Sequence, residues 1–237
     1  MNAMIFAAGL GTRLRPLTND RPKALVEVNG KSLLEHNILK LKNAGFDHIV
    51  VNVHHFGNQI IDFLNKNASF GLDVKVSDEC EMLLDTGGGI RKALTLFDNN
   101  DPVLIHNVDI ISNVDLHAVY SYHLQSGCDA TLCVSERKTS RYLLFDEDMN
   151  LRGWKNITTG EVKGSEAPNM FAFSGIHVIN QGLLPTFNLI ERQVFPIMDF
   201  YLGYCKDRKF GGLRLPLTTK WVDCGKPESL DLAAQIV

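Results

Sequence analysis

Positive charge is not in excess in this chain: 24 Lys and Arg stand against 27 Asp and Glu, for a formal net charge of -3. No block of like charge and no basic tail breaks that balance, which excludes a global field recruiting nucleic acid. An anionic substrate must then be met by a local cluster of cations. The five cysteines (Cys80, Cys128, Cys133, Cys205 and Cys224) are odd in number, scattered and never spaced C-x-x-C. That pattern argues against a disulfide framework or a zinc site and fits reduced thiols in a cytoplasmic protein. Long apolar runs are missing too. The start, MNAMIFAAGLGTRLRP, is too short in apolar residues for a membrane span and lacks the basic head and apolar run of a signal peptide. Pro/Gly/Ser-rich linkers, low-complexity tracts and internal repeats are absent, so one domain over 1–237 is expected. What is present, 45% hydrophobic and 22% charged residues, is the make-up of an ordinary globular protein. Neither nucleic acid nor membrane is an expected partner.

The first half alternates between two kinds of segment. Strands are predicted where short apolar or β-branched runs stop at turn residues: Ala3 to Ala8, His48 to Val53, Asp73 to Ser77, Pro102 to Asn107 and Ala130 to Val134. Helices are predicted between them. The first starts at Ser32, where Ser32-Leu33-Leu34-Glu35 has the spacing of a capping box, and it ends at Gly45. Others are expected over Gln59 to Leu64, over Ile90 to Phe97 after an entry of three glycines, and over Leu116 to Leu124. Such alternation predicts an α/β fold with a mostly parallel sheet covered on both faces. Ligands of such sheets sit at the carboxyl ends of the strands. After residue 135 the alternation weakens. Two short strands around a turn at 146–150, a strand over Phe171 to Ile179, helices over Leu183 to Ile190 and Phe195 to Tyr204, and a last helix from Glu228 are expected.

Gly9-Leu10-Gly11-Thr12-Arg13 follows the first strand directly. Backbone amides of a glycine turn can approach phosphate oxygens closely. A dinucleotide fingerprint would need glycine at position 14, where Leu14 stands, and a P-loop ending at Gly30-Lys31-Ser32 would need one at Leu25. The loop is distinguished instead by its cations: Arg13, Arg15, Arg21 and Lys23. Three further motifs carry polar groups: Leu84-Asp85-Thr86-Gly87-Gly88-Gly89-Ile90, Asn107-Val108-Asp109 at a strand end, and Trp221-Val222-Asp223-Cys224-Gly225. Each alone reads equally well as a turn.

Together they do not. GLGTRLRPLTNDRPKALVEVNGKSLLEH closely resembles the opening of the sugar-1-phosphate nucleotidyltransferases, with G-x-G-T-R, P-L-T, P-K-x-L and the turn into a helix in order. Ser32 departs from the usual proline. The segment L-D-T-G-G-G-I looks most like the N-acetylmuramic acid 1-phosphate uridylyltransferase branch and, less consistently, mannose-1-phosphate guanylyltransferase-like sequences. The resemblance covers essentially the whole chain. It implies a Rossmann-like three-layer α/β/α sandwich of the nucleotide-diphospho-sugar transferase type. It divides the chain into a nucleotide-binding part (1–135), a sugar-side lobe (136–220) and a closing metal motif with helix (221–237).

The resemblance also implies roles. The backbone of Ala7, Ala8, Gly9, Gly11 and Thr12 holds base and phosphates, and Asp85, Gly87 and Gly88 lie at the nucleobase. Arg13 and Lys23 neutralise the triphosphate, and Asp109 and Asp223 share a Mg²⁺ ion. Val108 stands where the family has glycine. On the sugar side Lys155 fits the lysine of the family's E-K-P segment, with Trp154 in place of Glu. Gly175 lets a sugar ring lie close, and Asn169 and Glu191 are positioned for its hydroxyls. The implied reaction joins a nucleoside triphosphate and a sugar 1-phosphate and releases pyrophosphate. A glycosyltransferase of similar fold and an inactive nucleotide-sensing relative remain open alternatives. His54-His55 is not a metal pair, since adjacent strand residues diverge.

Overall fold

The computed structural model describes residues 1–237. Along the chain it forms β1 (Asn2–Phe6), β2 (Glu27–Val28), β3 (Lys31–Ser32), α1 (Leu33–Asn43), β4 (His48–Val53), α2 (Gly57–Lys66) and β5 (Asp73–Asp78). Next come α3 (Asp85–Leu94), β6 (Val103–Asn107), β7 (Ile110–Ser112), α4 (Leu116–Ser126), β8 (Ala130–Ser135), β9 (Arg141–Phe145), β10 (Leu151–Asn156) and β11 (Val162–Gly164). The chain ends with β12 (Asn169–Ile179), α5 (Leu184–Phe187), α6 (Ile197–Tyr204), β13 (Phe210–Arg214), β14 (Trp221–Asp223) and α7 (Glu228–Ala233). No helix is long and apolar enough to cross a membrane.

Strand alternation produces the layers. Ala3 and Ile5 of β1 point into one core and Met4 into another; Val51 and Val50 of β4 divide in the same way. The first core is closed by Leu34, Ile38 and Leu41 of α1, Ile60 and Leu64 of α2 and Val119 of α4. The second is closed by Ile90 and Ala93 of α3, Phe187 of α5 and Phe200 and Tyr201 of α6. The result is a three-layer α/β/α sandwich. Its large sheet runs β11-β10-β9-β12-β6-β1-β4-β5, with β8 branching from β12 and β13 from β8. The pairs among β6, β1, β4 and β5 are parallel, as is β13 with β8. β12 is antiparallel to β6, β8 and β9, so the parallel order gives way to an antiparallel lobe.

Local chemistry explains most boundaries. The Ser32 side chain accepts from the Glu35 N–H at 3.1 Å and starts α1 as its spacing requires. α3 corrects the expectation of a helix from Ile90: it begins at Asp85, and its three glycines lie inside it. Glycine weakens a helix interior, but packing decides here. A Cβ on Gly87 would collide with the Phe195 ring and one on Gly88 with the Gln193 carbonyl. Gly88→Ala should therefore destabilise the fold by about 1–3 kcal/mol through overpacking. Thermal unfolding reads this as a fall of roughly 2–4 °C per kcal/mol in a chain of this size. The helix expected over 183–190 shrinks to a 3-10 turn at Gln181–Leu183 and the single turn of α5. Beyond it, Arg91 takes the Ile190 carbonyl at 2.7 Å and the Arg192 carbonyl at 3.1 Å, which holds the chain as a loop.

Candidate active site

The carboxyl ends of β1, β4 and β6 open onto a cavity of about 400 Å³. Phe6, Leu83 and Val194 supply apolar wall, and Lys23, Asn107 and Asp109 supply polar wall. A few polar groups in a largely apolar recess is the common build of a small-molecule site.

The loop after β1 is fixed by one side chain. Asn52, near the end of β4 and 2% exposed, accepts from the Ala7 N–H at 2.8 Å and the Ala8 N–H at 3.3 Å through Oδ1. Its Nδ2 donates to Glu79 Oε1 at 2.7 Å, and Glu79 Oε2 accepts from the Leu84 N–H at 3.0 Å. Asn52 and Glu79 thus tie the glycine loop to the start of α3, and both line the cavity. Neither was picked out from sequence. The available signal was a single polar residue in the β-branched run HIVVNV. Gly11 takes a left-handed φ of 64°, which glycine adopts without strain, and Thr18 Oγ1 donates to its carbonyl at 2.8 Å.

This geometry revises the expected part of the loop. The Ala7 and Ala8 N–H groups are already spent on Asn52, and Ala7 is buried behind the wall, so Ala8 and Gly9 are the members that reach the cavity. Gly11 and Thr12 form the turn just beyond. Asp85 lines the cavity from the first residue of α3, with φ at 59° and its Oδ1 accepting from the Thr86 N–H. Gly87 and Gly88 do not line it; they face Phe195 and Gln193.

At the far end, Lys23 Nζ is hydrogen-bonded to Asp109 Oδ2. Lys23 comes from the 3-10 turn at Lys23–Leu25, and Asp109 from the two-residue gap between β6 and β7. Val108, the departure from the family glycine, is 4% exposed and packs in the first core, leaving its carbonyl to accept from Asn37 Nδ2 at 2.9 Å. β7 pairs antiparallel with β14, setting Asp223 opposite Ile110, while the Cys224 N–H donates to the Asp109 carbonyl at 2.7 Å. Asp109 and Asp223, 114 positions apart in the chain by subtraction of their numbers, are thereby neighbours. Arg13 Nη2 lies 4.0 Å from Asp223 Oδ2. Lys23 and Asp109 close the charged end of the cavity, and the Arg13–Asp223 pair lies beside it on the β14 side.

The sugar-side residues are more dispersed. Gly175, with φ 72°, abuts Asn107: a Cβ there would sit 2.9 Å from Asn107 Nδ2. Lys155 lies on β10 and pairs with Glu166 at 3.7 Å. Asn169 Nδ2 donates to the Asp146 carbonyl at 3.0 Å, and Glu191 is exposed in the loop after α5. The structure does not gather these three at the cavity wall.

The buried histidines and Cys224 are held uncharged. Burial brings the His106 and His177 imidazoles down to about 3, so both are neutral. Burial, reinforced by Asp109, pushes the Cys224 thiol up to about 12. His54 Nδ1 is bonded to the Glu79 carbonyl at 2.7 Å, while His55 leans on the Phe56 ring, so the two histidines part as expected. What the site offers is cations, carboxylates and backbone amides, which suits charge stabilisation around phosphate.

A family model described as nucleotidyl transferase matches residues 2–236. The chain is 50% identical over 111 residues to the N-acetylmuramate alpha-1-phosphate uridylyltransferase of Caulobacter vibrioides, covering 46% of each. It is 42% identical over 120 residues to the enzyme of that name from Neisseria meningitidis, covering 51% of this chain and 52% of the relative. It is 30% identical over 236 residues to the mannose-1-phosphate guanylyltransferase catalytic subunit beta of Danio rerio, covering 96% of this chain and 62% of the relative. The chain thus spans between 46% and 62% of the length of these curated relatives. Among solved structures, HddC of Yersinia pseudotuberculosis complexed with GMP-PN superposes with a TM-score of 0.75 at 21% identity, over 99% of this chain and 98% of that one. A Bacillus anthracis protein assigned as a glucose-1-phosphate thymidylyltransferase reaches 0.83 at 17% identity, over 99% and 94%. At these identities the likeness is one of fold.

Proposed function

The chain belongs to the nucleotidyl transferase family, and from that premise we propose that it transfers a nucleotidyl group from a nucleoside triphosphate to a sugar 1-phosphate, releasing pyrophosphate. The observation that carries this reading is the charged end of the cavity. Lys23 touches Asp109, the β7–β14 ladder brings Asp223 next to that strand end, and Arg13 lies 4.0 Å from Asp223.

The chemistry is an in-line displacement at the α-phosphorus. The attacking sugar phosphate is already anionic, so no general base is needed. The recess bounded by Phe6, Leu83 and Val194 takes the base and ribose. Amides from Gly9 to Gly11 face the phosphates. Lys23 and Arg13 offset the charge that builds on the non-bridging oxygens and on departing pyrophosphate. Orientation supplies much of the remainder, and Asn52 secures it by fixing the loop against β4.

Asp109 and Asp223 fit a divalent cation, because two carboxylates brought to neighbouring positions by the β7–β14 pairing supply the hard oxygen donors that Mg²⁺ takes together with phosphate oxygens. Bound there, Mg²⁺ would lower the charge at the reacting phosphorus. No cluster of three or more His, Cys, Asp or Glu is built to enclose a metal, consistent with substrate completing the shell.

The test is pyrophosphate release, with Mg²⁺ and with a chelator, across four nucleoside triphosphates and a panel of sugar 1-phosphates. N-acetylmuramic acid 1-phosphate with UTP is the first pair to try, after the relatives' names. The expected result is a signal that requires metal, triphosphate and sugar phosphate together. Silence across the grid from folded, nucleotide-binding protein would replace this reading with a regulatory relative. Release of free nucleoside diphosphate from a nucleotide sugar would point to a glycosyltransferase.

A further inference from the structure

Arg137, five residues on from Leu132 in the middle of β8, is held in a way that leaves part of its guanidinium idle. β12 shifts register against β8 between Phe173 and His177, a bulge that takes its carbonyls out of the ladder. Two side chains collect them. Arg137 Nη2 donates to the Phe173 carbonyl at 2.7 Å, and the Trp221 indole N–H donates to the Ser174 carbonyl at 2.8 Å. The two also stack, with the guanidinium carbon 4.3 Å from the Trp221 ring centroid. A guanidinium carries five N–H donors. Phe173 uses one, and the Nε–H is buried without a partner. The Nε–H is closed off from solvent, but Nη1 makes no hydrogen bond within the chain and is not among the fully buried atoms, so the Nη end is the part that can meet a group from outside.

Its surroundings say where. Trp221 and Asp223 are two apart on β14 and share a face, so the cation stacked on Trp221 stands beside the Asp223 carboxylate. Burial pulls the Arg137 pKa down and Asp223 pushes it back up. The bulge that positions Arg137 also carries Gly175, which abuts Asn107 in the cavity wall. Arg137 therefore stands on the Asp223 side of the charged groups. Lys155, expected in this role, is instead paired with Glu166.

We propose that Arg137 binds the phosphate of the incoming sugar 1-phosphate, its free N–H edge and Asp223 facing the same anionic group. A planar fork suits a phosphomonoester, and stacking on Trp221 sets its plane in advance. The assignment rests on the nucleotidyl-transfer reading.

Arg137→Met and Arg137→Lys test it. Arg137→Met should raise KM for the sugar 1-phosphate at least tenfold and leave KM for the triphosphate within about twofold. Arg137→Lys, which keeps the charge and loses the fork, should fall between. A mere clamp on β12 would lower the melting temperature and leave both KM values alone, and that result overturns the proposal. Should the variants fail to fold, phenylglyoxal labelling of the unaltered protein, mapped by peptide mass, decides. Arg137 should label in the free protein. Inorganic phosphate and the sugar 1-phosphates should protect it; the unphosphorylated sugars should not. Labelling indifferent to phosphate overturns the proposal. So does no labelling, since an edge closed to a small dicarbonyl is closed to phosphate. Protection needs no turnover. A protein silent across the substrate grid yet protected by phosphate would lose its proposed reaction and keep this site.

Discussion

Lys23→Ala is expected to lower turnover by roughly 10²–10³-fold, the usual loss when one pre-placed group at a developing charge is removed. Lys23 is the cation at the cavity end and is already in contact with Asp109. Asp109→Asn should cost at least as much, because it removes an anionic ligand from the proposed metal position and the charge that partners Lys23. The two side chains are 10% and 18% exposed, between a buried pair and a surface one. Breaking the pair should therefore cost about 1–3 kcal/mol of stability, well short of unfolding the chain. Steady-state pyrophosphate release beside a thermal melt separates the two effects. A folded Lys23→Ala protein that keeps more than a tenth of the parent's kcat would remove Lys23 from the mechanism.

A stability effect as large as that of truncating a core side chain is expected at the polar residue Asn52. Asn52→Ala would orphan three buried polar groups at once: the Ala7 N–H, the Ala8 N–H and Glu79 Oε1. At about 1–3 kcal/mol for each unmet group, and with water able to enter the adjoining cavity and meet some of them, a loss of about 3–5 kcal/mol follows. Urea unfolding measures it. The residual folded protein should bind triphosphate more weakly as well, since the loop after β1 loses its tie to β4. A loss under 1 kcal/mol would show that the Asn52 network contributes little to holding the loop.

Much of this site could be read from the sequence because its charged members sit in short local patterns. Lys23 and Arg13 belong to the glycine loop, and Asp109 and Asp223 each follow a β-branched lead-in, so resemblance singled out all four; in the structure Lys23 meets Asp109, and Arg13 lies 4.0 Å from Asp223. The strands β1, β4, β6 and β8 were visible for a related reason: buried parallel strands are short apolar runs with clear ends. The β7–β14 ladder was not. Each strand is three residues long, and pairing across more than 100 positions leaves no periodic trace. The glycines of α3 misled because propensity places them outside a helix, whereas contact with Phe195 and Gln193 requires them within it. The setting of Arg137, against a bulge in another strand, leaves no trace in its own stretch of sequence. Lys155 was expected on the sugar side from resemblance to the E-K-P segment and Asn169 from position in the chain. The lobe's antiparallel hairpins turn them toward Asp146 and Glu166.

β12 has one consequence for anyone who would dissect the chain. It is zipped to β6 through Ile176–Ile179 and to β9 through Asn169–Phe171, so one strand is shared by the nucleotide-binding part and the lobe. Expression of residues 1–135 alone would strip β6 and β8 of that neighbour. It would also remove Phe187, Phe195, Phe200 and Phe210 from the second core, exposing long apolar strand edges of the kind that drive aggregation. The boundary at 135 divides labour, not material: the halves are expected to be recovered as inclusion bodies when made separately and as one cooperative unit when left joined.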